Sequence, residues 1–154
     1  MKPKHQNKKQ TTVGVIDAGV LAFTAGKDRV LDQALVEADC IGSAAHVTML
    51  ARMPLKPALF SDAQRRKVIA GLVKIMKSAA QGRFEITLSD QDAHLAVERT
   101  LTEELGDLGK KVHTGRSRND QVAVDLRLYG KEQLLGAIEE AAELAGTLAA
   151  FACE

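Results

Sequence analysis

Tryptophan is absent from the 154 residues, and aromatic residues of any kind make up only 3% of them. A core built on large rings is therefore excluded, and burial has to come from Leu, Val, Ile and Ala. A hydrophobic fraction of 45% supplies enough of these for one domain, since a chain of this length buries roughly two thirds of its unfolded surface. There are two cysteines, Cys40 and Cys153, too far apart in sequence to form a metal or redox motif. Two thiols without a secretory leader fit a reducing compartment, so a cytoplasmic location is expected. No uninterrupted apolar run approaches the roughly 18 residues of a membrane span, and Asp17 breaks the mildly apolar stretch from Val13 to Phe23. Charge of one sign is also lacking. Twenty-one Lys and Arg face 20 Asp and Glu, for a net charge of +1, which names no partner. Neither nucleic acid nor membrane is expected as a ligand. Lys2, Lys4, Lys8 and Lys9 crowd the first ten residues, but without aromatics they read as a frayed, solvated tail rather than a contact arm.

Helical periodicity is plentiful. Residues 28 to about 52 read as a helix with Leu31, Leu35, Ala38 and Ala45 near one face. Met53-Pro54-Leu55-Lys56-Pro57 ends it, because proline lacks the amide donor and restricts the residue before it. Ser61 or Asp62 is a candidate N-cap for a second helix to Ala80, with Val68, Leu72, Ile75 and Ala79 on one stripe. Residues 83–88 alternate briefly and read as extended. Ser89 or Asp90 opens a third helix to Leu105, with His94, Val97, Leu101 and Leu105 on its apolar face, and Gly106 ends it. Residues 107–118 are polar and rich in cations. A fourth helix follows from about Asn119 to Ala152, with Val122, Leu126, Tyr129, Ile138, Leu144 and Leu148 at its apolar positions. At 1.5 Å per residue it measures roughly 50 Å, far longer than an average globular helix. Such a helix packs in a bundle, and this chain holds few partners for its second half, so the pattern reads as one cut through a longer protein. The expected class is all-α: a basic tail and lead-in over 1–22, a helical domain over 23–118, and the start of a long bundle helix over 119–154.

The densest chemistry lies in His113-Thr114-Gly115-Arg116-Ser117-Arg118-Asn119-Asp120-Gln121. Thr114, Ser117, Asn119 and Gln121 stand beside two fixed cations, Arg116 and Arg118. Gly115 lets the backbone bend close to a ligand. The run enters the N-terminus of the long helix, where free N–H groups and the helix dipole favour negative charge. Arginine adds a planar fork of donors that matches a carboxylate. Two readings stand on these residues alone. One is a site for a small anion, a carboxylate or phosphate. The other is capping by Ser117 and Asp120, with Arg116 and Arg118 paired to nearby acids such as Asp107.

The same nine residues resemble, member for member, the first signature segment of the argininosuccinate lyases. Leu105-Gly106 and Gly109-Lys110-Lys111-Val112 before it, and 122–129 after it, are similar to that family as well. So is Asp92-Ala93-His94 followed by Glu98, which matches a family stretch of the form D-x-H then Glu. Residues 39–46 resemble the family's first long helix, and Phe23-Thr24-Ala25-Gly26-Lys27-Asp28 a variant of its N-terminal substrate loop. The Trp-Gly-Gly-Arg-like opening of many members is missing.

The resemblance implies reversible β-elimination of argininosuccinate to arginine and fumarate, without metal or organic cofactor, in a homotetramer built on long central helices. It implies a direct substrate contact for Asn119, with Ser117, Arg118, Arg116 and Thr114 beside it. Asp92 and His94 fall on positions near the substrate, and Thr24 is the nearest hydroxyl in the N-terminal loop. For His94 a second reading stays open, that of a packed histidine bonded to Glu98 one turn later. The family's other two segments, which carry the acid and base residues, have no counterpart in these 154 residues. The isolated chain is therefore expected to be inactive, with no catalytic residue of its own. The competing readings are a non-catalytic helical assembly module derived from the family, and a related lyase releasing fumarate from another substrate such as adenylosuccinate.

Overall fold

The computed structural model describes residues 17–153; the lysine-bearing tail over 1–16 lies outside them. Among the described residues the secondary structure is helical, without strands. Asp17 caps a first helix, α1 (Ala18–Ala25), by accepting from the Gly19 amide at 2.8 Å. The lead-in that reads as tail in the sequence is thus helical from Ala18. Gly26 ends α1 at a φ of 49°, a left-handed value that favours glycine.

The helix expected from residue 28 arrives in three pieces: α2 (Asp28–Leu31), a 3-10 turn (Asp32–Leu35) and α3 (Val36–Arg52). The 3-10 turn has about three residues per turn instead of 3.6, and that rotates everything after it. Leu31 and Ala45, expected on the buried face, are exposed. Ala38 is buried and Leu35 half-buried as expected, but the stripe that packs is Val36, Cys40, Ser43, Val47 and Leu50, spaced four and three. Within residues 28–52 an 18-residue stretch of mean hydropathy 1.2 is long and apolar enough to cross a membrane by length and composition. That revises the sequence expectation. Here the segment serves as a core helix, packed against both α4 and α7.

Ser61 opens α4 (Asp62–Ala80) with a capping box: its hydroxyl accepts from the Gln64 amide at 3.2 Å, and Gln64 Oε1 accepts from the Ser61 amide at 2.9 Å. The expected stripe is buried at Val68, Leu72 and Ile75, each worth about 1.5–3 kcal/mol relative to exposure. Residues 84–88 form no strand, yet Phe84 and Ile86 enter the core. α5 (Ala93–Leu105) starts later than expected. Asp90 is taken by Arg99 and Thr87, Gln91 sits at a φ of 71°, and Asp92 is the cap, accepting from the Leu95 amide at 2.9 Å. A short α6 (Asp107–Lys110) follows Gly106 directly.

The core joins α3, α4 and α5 around Val36, Val47, Phe60, Leu72, Val97 and Leu101, with Val112 closing it from the loop after α6. It is mainly aliphatic, as the composition requires. The thiol of Cys40 lies inside it, and burial pushes it well above the ordinary thiol range. That leaves it a packing residue rather than a nucleophile.

The last helix, α7 (Arg118–Ala152), meets the domain only through its first turns. Its buried residues are Gln121 and Asp125. Leu134, Ile138, Leu144, Leu148 and Phe151 are all more than half exposed. The second half of α7 therefore has an apolar face without cover among the described residues.

Candidate substrate cleft and signature loop

The loop from Lys111 to Ser117 is held by its own backbone before any ligand is considered. The Thr114 hydroxyl donates to the Lys111 carbonyl at 2.7 Å. The Thr114 carbonyl meets His46 Nε2 of α3 at 3.0 Å. Gly115 turns at a φ of 72°, a backbone shape that disfavours side chains. Ser117 then caps α7: its oxygen accepts from the Asp120 amide at 3.2 Å, and the Asp120 carboxylate accepts from the Ser117 amide at 3.3 Å. Capping by Ser117 and Asp120, one of the two sequence readings, is therefore present.

The two arginines part company. Arg116 turns inward, donating to the Ser43 hydroxyl at 3.1 Å and the Gly42 carbonyl at 3.4 Å. Burial pulls its guanidinium below the ordinary value, and the carboxylates of Asp39 and Asp125 oppose that pull. Its Nε is buried without a partner among the described residues. Arg118 points the other way. Its Nε donates to Asp92 Oδ2 at 2.5 Å, and a second guanidinium nitrogen meets the same oxygen. The single wall of two guanidinium groups suggested by the sequence does not form in this chain. Neither arginine pairs with Asp107, which takes Lys110 at 3.0 Å.

Behind Arg116 lies a buried polar network that sequence reasoning missed. Gln121 Nε2 lies 3.0 Å from both Asp39 Oδ2 and Asp125 Oδ1, and 3.1 Å from the Asp39 carbonyl. Asp39, Gln121 and Asp125 are essentially inaccessible. Burial, then the charge of Asp39 and a hydrogen bond with it, push the Asp125 carboxyl up to about 8, so it holds its proton at neutral pH. His94 completes the network, with Nδ1 3.0 Å from Asp39 Oδ2. Asp39 is thus a partner of His94 that the sequence did not suggest, and Glu98 faces His113 at 3.4 Å. The signal was there, in acids and an amide lying on otherwise apolar stripes of α3 and α7.

Three of the residues singled out from the sequence do meet. Thr24, Asp92 and Arg118 line one cleft of about 330 Å³ between α1, α2, the α5 cap and α7, with Asp28, Asp32 and Gln91. Leu35, Val122 and Leu126 supply its apolar floor. The Thr24 hydroxyl is engaged by the carbonyls of Val20 at 3.0 Å and Leu21 at 3.1 Å. Burial raises the proton affinity of Asp32, whose carboxylate accepts from the Ala93 amide at 3.2 Å. The cleft thus carries three carboxyl groups and one guanidinium, and it suits a ligand bearing both signs better than a simple anion. Asn119 and Ser117 are exposed on the adjoining first turn of α7, while Thr114 and His94 lie outside the cleft lining.

A family model described as Lyase matches residues 16–153. The argininosuccinate lyase of Leptospira biflexa is 44% identical over 114 residues, covering 74% of this chain and 23% of that protein. That of Phocaeicola vulgatus is 44% identical over 122 residues, covering 79% of this chain and 26% of its own length. That of a Nostoc species reaches 47% over 104 residues, covering 68% and 22% respectively. The chain spans about a quarter of the length of the curated relatives it matches. With the match running from the lead-in of α1 to the end of α7, the chain belongs to this lyase family, that of the fumarases and aspartases.

Proposed function

We propose that the chain is the N-terminal portion of an argininosuccinate lyase, which cleaves argininosuccinate to arginine and fumarate in arginine biosynthesis. The likeness to proteins of that name over most of the described residues carries this reading. The cleft supports it independently. Argininosuccinate carries carboxylates at one end and cationic nitrogen at the other, and the cleft sets Arg118 beside Asp28, Asp32 and Asp92.

In this reading the reaction is a β-elimination. A base removes the proton beside a carboxylate, a dianionic intermediate forms, and the guanidinium leaves with a proton from an acid. Stabilising that charge calls for preorganised donors. Asn119 and the free N–H groups at the start of α7, a turn that Ser117 shapes by its capping box with Asp120, are this chain's contribution to it, with Arg118 held in place by Asp92. Arg116 and Thr114 act from behind, by fixing the loop, and His94 supports it through Asp39. The acid and base come from segments beyond these residues, in a cytoplasmic homotetramer whose central bundle covers the apolar face of α7.

The test is a chimera in which residues 17–153 replace the matching segment of a full-length relative. Fumarate release from argininosuccinate, followed by absorbance, is the expected outcome. Asn119→Ala in the chimera should lower kcat while leaving the fold intact, and the 154-residue chain alone should give no turnover. A tetrameric chimera that prefers adenylosuccinate, or that cleaves nothing, would refute the assignment.

A further inference from the structure

Between Thr114 and Arg116 the signature loop is tied to α3 at two points. Arg116 donates to the Gly42 carbonyl and the Ser43 hydroxyl. His46 stands one turn further along the same face of α3, with Nε2 3.0 Å from the Thr114 carbonyl. Gly115 lies between the two ties, at a φ of 72°, and a Cβ on it would meet nothing within 4 Å. On that side the turn faces open space.

A backbone carbonyl only accepts, so the bond requires the proton of His46 on Nε2. Burial lowers the proton affinity of this imidazole; the bond to Thr114 opposes that shift, and the charge of Arg116 adds to it. The ring is thus neutral at pH 7, with its single proton at the atom that meets the loop. No backbone amide reaches the Thr114 carbonyl among the described residues. The Thr114 hydroxyl bonds only within the loop, to the Lys111 carbonyl.

We propose that His46 is a positioning residue: by donating to the Thr114 carbonyl it fixes the signature loop on α3, and with it the donors at the start of α7 that stabilise the dianionic intermediate. The inference rests on the lyase reading. Glycine is the residue most able to change its backbone angles. With Thr114 untied, the loop can swing about Gly115, and the long side chain of Arg116 is left to hold it to α3. Tolerance is small, since a misplacement of about 1 Å costs roughly a hundredfold in rate even when it begins far from the chemistry. Donors aimed at charge that develops in the transition state act on kcat rather than on KM.

His46 is half-buried, and two substitutions separate its donor from its ring. His46→Phe keeps an aromatic ring and loses the N–H. His46→Gln loses the ring and keeps an N–H of similar reach. Hydrogen exchange in the 154-residue chain reads the loop directly. The amides of Thr114 and Arg116, which donate to the Lys111 and His113 carbonyls, should exchange roughly 2- to 10-fold faster in His46→Phe, the range that one net hydrogen bond sets. In His46→Gln they should stay near the parent rate, and amides of α4 should not change in either variant. In the full-length chimera, His46→Phe should lower kcat by roughly ten- to a hundredfold at constant KM, and His46→Gln should restore most of it. Equal behaviour of the two variants, a loss confined to KM, or faster exchange throughout α4 would overturn the proposal. A chimera inactive with His46 in place would overturn the lyase reading instead, and the exchange rates would still decide whether His46 anchors the loop.

Discussion

Arg118, the first residue of α7, donates through Nε to Oδ2 of Asp92, the N-cap of α5, at 2.5 Å. One carboxylate thereby starts one helix with Oδ1 and anchors another with Oδ2. The two roles separate by substitution. Asp92→Asn keeps a capping oxygen and loses the ion pair, and because Arg118 is 44% exposed the pair is worth at most about 1 kcal/mol. Asp92→Ala loses the cap too, for a further 0.5–2 kcal/mol or so. Urea denaturation of both variants should place them in that order.

Asp125 sets a pH dependence. Its folded-state carboxyl is pushed up to about 8 from an ordinary 3.8, by burial first and by Asp39 second. The folded chain therefore holds a proton that the unfolded chain gives up near pH 4. Stability from this group is complete below that pH, falls as pH rises from about 4 to about 8, and is flat beyond. Asp125→Asn should flatten this stretch of the profile and raise the denaturation midpoint at pH 8. A steeper fall in the variant would count against the protonated carboxyl.

Gly109 and Gly130 should respond oppositely to alanine. A Cβ on Gly109 would lie 2.5 Å from the Leu101 carbonyl oxygen and 2.6 Å from the Thr102 nitrogen, both backbone atoms that cannot swing aside. Gly109→Ala is expected to destabilise by about 1–3 kcal/mol. A Cβ on Gly130, inside α7, meets nothing within 4 Å, and Gly130→Ala should stabilise by roughly 0.5–1 kcal/mol. Thermal unfolding of the pair reads both signs.

The apolar face of α7 should drive self-association of the chain. Leu134 is 67% and Ile138 64% exposed, one turn apart. Sedimentation velocity should find oligomers of the unmodified chain, and the double change of Leu134→Glu with Ile138→Glu should shift them to monomer.

Much of this fold is legible from periodicity, and the misses have physical causes. The stripe Val68, Leu72 and Ile75 is regular because nothing interrupts α4. The face of α3 is misread because four residues of 3-10 turn shift its phase, and local sequence gives little warning of that. The start of α5 is misplaced because Ser89, Asp90 and Asp92 are all good caps, and only the grip of Arg99 on Asp90 decides among them. In the site, Arg118 lines the cleft beside Asp92. Arg116, next but one in sequence, turns inward instead, because Gly42 and Ser43 accept its guanidinium beside two buried acids. Asp39 and Asp125 escape notice because a polar residue on an apolar stripe is easily taken for a break in the pattern, while Gln121, grouped from the sequence with the polar residues of the loop, turns inward to them.

α7 is fastened to the domain by an amide and two carboxyl groups, not by a seam of leucines. Directional bonds of this kind do not survive sliding. A slip of α7 by one turn along α3 would strand Gln121 and Asp125 together in a dry interior, whereas interlocked aliphatic side chains often find a second resting place. The heading of the long rod is thus decided within its first two turns, and whatever gathers around its far end meets a direction already chosen.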